Sequence, residues 1–62
     1  MAIDAYTIKH LDAYIEANIW AADSVAFRLW VIEALEEDPG LADQGWTSLY
    51  RYWMNNIKEG SA

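Results

Sequence analysis

Asp12 and Glu16 stand one helical turn apart, a spacing at which two carboxylates on one face can share a cation or a proton. His10 is the only imidazole in the chain. With Ser24, Ser48 or Ser61 it supplies the one combination from which nucleophilic catalysis could be built. Neither pattern goes further, because nothing beside those serines marks them as activated. His10 falls on the polar side of its helix, where a solvated role is the simpler reading, and an exposed carboxylate pair serves mainly to keep a helix wet. The absence of Cys excludes disulfides and thiolate metal sites, and a single His cannot form a His-rich zinc site. No Gly-rich phosphate loop, EF-hand loop, HExxH or dinucleotide fingerprint occurs. The expectation is a protein without catalytic residues, metal or cofactor.

The residues with more to offer are those that bind surfaces. Glu33, Glu36, Glu37 and Asp38 are the densest charge cluster, placed at a helix C-terminus, where negative charge costs a few tenths of a kcal/mol to about 1 kcal/mol. Such a cluster suits an Arg or Lys patch on a partner, or else it only keeps that end of the molecule hydrated. Trp30 and Tyr52 lie outside the main apolar stripes and are candidates for partner contact, Trp and Tyr being enriched at binding hot spots. The alternative for them is incidental packing. Trp46, Tyr50 and Trp53 share one apolar face and read as core.

Ten Asp and Glu against four Lys and Arg give a net charge of −6. That balance disfavours phosphate backbones and anionic membrane surfaces and favours a basic protein surface, although acidity also serves solubility. The apolar runs are short of the roughly 20 residues needed to cross a bilayer. Residues 1–8 lack a basic segment followed by an apolar core, so no secretory signal is expected and the cytoplasm is the default.

Positioning these residues falls to helices. Ile8, Leu11, Ile15, Asn18, Ala22, Val25, Leu29 and Ile32 alternate steps of three and four, a coiled-coil seam with one polar member. No Gly or Pro precedes Pro39, so one helix over about 4–37, about 50 Å long, could carry the whole stripe. Asp4 is its expected N-cap, with Ile3 and Ile8 forming a hydrophobic staple. The seam is nearly palindromic. Two antiparallel copies would pair Ile8 with Ile32, Leu11 with Leu29, Ile15 with Val25 and Asn18 with Ala22, which argues for a symmetric homodimer. Either Asn18 sits in that interface and sets its register, or the helix rotates and Ile19 takes the buried place. Tyr14 and Arg28 could meet across the dimer as a cation–π pair.

A second stripe, Trp20, Phe27, Val31 and Ala34, needs a second neighbour. A shorter helix over about 47–58, presenting Trp46, Leu49, Tyr50, Trp53, Met54 and Ile57, would double back after Pro39 to cover it. Asp38 would cap a short turn, Gly45 would close that turn in a left-handed conformation and Thr47 would cap the last helix. Residues 59–62 read as a frayed tail. The expected architecture is therefore a single all-α domain over 1–62, a helical hairpin dimerised antiparallel into a four-helix arrangement. A break near residues 22–24, with Asp23 as a new N-cap, would give a three-helix monomer instead. The functional expectation is a small acidic regulator or inhibitor that docks on a larger protein through Trp30, Glu33, Glu36, Glu37 and Tyr52. A DNA mimic blocking a nucleic-acid-binding protein and a structural assembly subunit are the alternatives.

Overall fold

A computed structural model describes residues 4–58, and within them every regular element is helical. The first helix, α1, spans Ala5–Asn18. Asp4 caps it, its carboxylate accepting from the Thr7 N–H at 2.8 Å. Ile3, expected to staple onto Ile8, and the tail 59–62 lie outside the described residues.

The long helix expected over 4–37 does not form. Ile19 and Trp20 adopt extended backbone, with φ/ψ of −117°/137° and −60°/140°, and a second helix, α2, begins at Ala21 and runs to Glu37. The break precedes Asp23, which lies in the first turn of α2 and is not its cap. Burial accounts for the interruption. Ile19 is buried while Asn18 stays exposed, its amide donating to the Tyr14 carbonyl at the frayed end of α1. Leaving the helix lets Ile19 enter the core, and it lets α1 turn back so that Leu11 and Ile15 join the same cluster as Phe27, Val31 and Leu35. The eight-residue seam is therefore divided. Leu11 and Ile15 are consumed inside the chain, whereas Ala22, Val25 and Leu29 face solvent, so the dimer pairing centred between Asn18 and Ala22 is not available to this fold.

After α2, Asp38 accepts from the Gly40 N–H at 3.1 Å and opens a 3-10 helix, Pro39–Gln44. Gly45 follows at φ 89°, a conformation that side chains disfavour, and turns the chain into α3, Trp46–Tyr52. Thr47 does not cap α3; its hydroxyl lies 3.1 Å from that of Tyr14, tying α3 to α1. The helix then widens into a π-helix over Trp53–Lys58. Leu49 and Trp53 are buried and Trp46, Tyr50, Met54 and Ile57 half-buried, the face expected for this segment.

Phe27 is fully buried, with ring centroids 5.1 Å from Tyr50 and 5.6 Å from Trp53 in edge-on contacts. Val31 and Leu35 continue that buried row, but Trp20, assigned to it from spacing, is 79% exposed at the break. Arg28 and Tyr14, expected to meet across a dimer, have partners within the chain. The Arg28 Nε lies 2.6 Å from Asp12 Oδ1, clamping α2 to α1. No buried residue among those described is polar or charged.

Trp53→Ala should cost roughly 3–5 kcal/mol, most of what a domain of this size holds at about 0.05–0.15 kcal/mol per residue. Tyr52→Ala should leave urea unfolding nearly unchanged, since that ring is 53% exposed. Hydrogen bonding from the Thr7 backbone, then from its hydroxyl, holds the Asp4 carboxyl below 3.8. A carboxyl more acidic in the folded chain contributes stability above its unfolded value and loses it as pH falls through the folded one. The loss should appear below pH 3.8. Asp4→Asn, which caps without titrating, should flatten that part of the stability profile; an unchanged profile would show that the cap is not formed.

Candidate functional site

The residues singled out as chemical in the sequence are placed apart. His10 is exposed and packs on Tyr6, ring centroids 4.3 Å apart, while the Ser24 hydroxyl donates within α2 to the Ala21 carbonyl. Asp12 is engaged by Arg28 through both carboxylate oxygens, at 2.6 and 3.4 Å. That hydrogen bond raises the Arg28 guanidinium above its ordinary value. No group of three or more His, Cys, Asp or Glu among the described residues is arranged to hold a metal, and no described helix is long and apolar enough to cross a membrane.

Of the candidate contact residues, Trp30, Glu33 and Tyr52 lie close together. Along α2, Asp23, Ala26, Trp30, Glu33 and Glu37 recur at steps of three and four and so form one row. Asp23, Ala26, Trp30 and Glu33 of that row, with Leu29 beside them, make one wall of an open groove of about 390 Å³, and Trp53, Ile57 and Lys58 of the π-helix make the other. The π-helical turn explains how that wall is built. Its i→i+5 hydrogen bonding widens the turn, which brings Lys58 nearer the face of Trp53 than the 3.6-residue turn of an α-helix would. Lys58 Nζ then reaches Asp23 at 2.9 Å and closes one end of the groove.

Trp30 is half-buried and stacks on Tyr52, centroids 5.9 Å apart and planes 20° from parallel. Phe27 lies beneath Trp30 at 6.3 Å. Trp30 and Tyr52, two candidates from distant parts of the sequence, thus make one platform beside the groove. Glu33 lines the groove with Trp30. Glu36 and Glu37 are exposed on the last turn of α2, and no ion pair within the described residues engages any of the three. The groove itself leaves no mark in the residue spacing, because its second wall depends on the π-helical phase of residues 53–58.

Comparison of the chain with protein-family models, with curated proteins and with solved structures finds no match.

The clamp between α1 and α2 is solvent-exposed on both sides. A double-mutant cycle of Asp12→Ala and Arg28→Ala should therefore give a coupling of about 0.2–1 kcal/mol that shrinks with added salt. A larger, salt-independent coupling would mean that the pair is shielded from water.

Proposed function

We propose that this chain is a small, non-enzymatic helical module that acts in the cytoplasm as a regulator or inhibitor by docking on a basic patch of a larger protein. The observation that carries the reading is the Trp30–Tyr52 stack, a platform of one half-buried and one exposed ring at the edge of a groove that also presents Glu33. Stacked rings offer large contact area at small entropic cost and can receive an Arg side chain face-on, while nearby carboxylates pair with its guanidinium or with Lys. The net charge of −6 favours encounter with such a surface. A module of this kind acts by occupying a site, which suits a chain of 62 residues. It is proposed to work as a homodimer that leaves the platform open.

Pull-down from the native host followed by mass spectrometry should recover one protein in stoichiometric amount. With that protein in hand, Glu33→Gln combined with Glu37→Gln should slow association and flatten its salt dependence without loss of helicity, because negative charges at a helix C-terminus add no stability. Trp30→Ala should act mainly by speeding dissociation. Binding kinetics indifferent to salt and to all three changes would remove this surface as the docking site.

A further inference from the structure

The groove beside Trp30 carries two carboxylates, and the two are in different states. Asp23 and Glu33 stand ten residues apart on α2, about 15 Å at the rise of an α-helix. Between them the lining is apolar, with Ala26, Leu29, Trp53 and Ile57 beside Trp30. Asp23 is taken by Lys58 at 2.9 Å, whereas no ion pair within the described residues engages Glu33. We propose that Lys58 holds the place of a partner's cation. The groove receives a segment with two arginines separated by apolar residues, one guanidinium pairing with Glu33 and the other displacing Lys58 from Asp23. This rests on the docking surface suggested above and adds to it the chemistry of the partner and a gate.

Charge complementarity selects the occupant. An apolar floor between two anions matches a segment that is cationic at both ends and apolar in the middle, and the Glu33 end already stands open. Arginine suits that end better than lysine. Its planar guanidinium lies on the ring of Trp30 and at the same time pairs with Glu33, one turn along the same helix.

At the other end the chain supplies the cation itself. The Asp23 side chain is 14% exposed, so its carboxylate is largely withdrawn from water and attracts a cation more strongly than an open surface carboxylate does. Lys58 is 41% exposed and is brought to the groove by the π-helical turn Trp53–Lys58. A π-turn is a rare form of helix that recurs at functional sites, and return to the 3.6-residue repeat would carry Lys58 away from the groove. The turn therefore has two arrangements, one with Lys58 on Asp23 and one with Asp23 open to a guanidinium. A segment already anchored at Glu33 presents its second arginine at high local concentration, which is how it competes with a pair inside the chain.

Calorimetric titration with a capped pentapeptide tests the gate. With arginine at each end and leucine, alanine and leucine between them, it spans about 13 Å when extended. The same peptide with citrulline for arginine, similar in shape but uncharged, should not bind. Lys58→Gln removes the competitor and should tighten binding of the arginine peptide about twofold to fivefold, the effect of losing an exposed ion pair. A lysine that only holds the fold together would do the opposite, its loss loosening the groove and weakening binding. Because Lys58→Gln also makes the chain more acidic, Asp23→Asn supplies the control: it should weaken binding, and adding Lys58→Gln to it should bring no gain. In the parent chain the Lys58 ammonium, followed by nitrogen NMR, should move to the position of free lysine as the peptide saturates. An ammonium unmoved at saturation would overturn the displacement whether or not the variants fold. Binding unchanged or weakened by Lys58→Gln would overturn the gate and leave the docking surface standing. A peptide bound by neither chain, while a protein recovered from the host still responds to Trp30→Ala, would overturn the two-arginine ligand alone; indifference of that protein as well would remove the docking surface with it.

Discussion

Phe27 stands where the helical segments converge, and its complete burial is the condition on which the rest of the fold depends. Its ring takes Tyr50 and Trp53 edge-on and lies beneath Trp30, so a single side chain of α2 fixes where the C-terminal segment returns and how high Trp30 sits at the surface. In a core of eight buried residues among those described there is little redundancy. A ring of this size cannot be replaced elsewhere in so small an interior, and the exposed Trp30–Tyr52 stack inherits its position from the buried contacts below it.

The break at Ile19 and Trp20 divides the work between the two ends of the stripe. Folding α1 back withdraws Leu11 and Ile15 into the core and leaves the outward residues of α2 without cover. One helix then presents two adjacent rows of distinct character. The outer row is aliphatic through its middle, and the flanking row is aromatic and acidic beside a groove. The rows lie one residue apart in phase and diverge around the cylinder, meeting only where Leu29 of the outer row borders the groove.

The all-helical class, the Asp4 cap, the turn opened by Asp38 and closed by Gly45, and the buried face of residues 46–57 were all legible from periodicity and from turn residues. Those features are governed by neighbours close in sequence. The break was not legible, because no Gly or Pro marks it and the three-four spacing continues through it; tertiary burial of Ile19 outweighs the local preference for helix there. The alternative of a shorter, three-helix chain came nearer, but it placed the boundary at Asp23 on cap chemistry that α2 does not use. Of the candidate site, Trp30 and Tyr52 could be named from their position off the main stripes. That they touch each other depends on how α3 returns across α2, and that Lys58 reaches Asp23 across a groove depends on the π-helical phase after Tyr52, for which the residue types give no signal.

The interior holds no polar or charged side chain among the described residues, and the cross-element hydrogen bonds, Tyr14 to Thr47, Arg28 to Asp12 and Lys58 to Asp23, all run along the surface. Such a core is specified by shape and volume alone, and cores of that kind accept concerted apolar exchange provided the total volume is kept. Over evolutionary time the inside of this protein is therefore free to drift, one aliphatic residue trading size with another. The polar ties along the surface lack that freedom, because each needs its particular donor and acceptor, so they would outlast the sequence of the core.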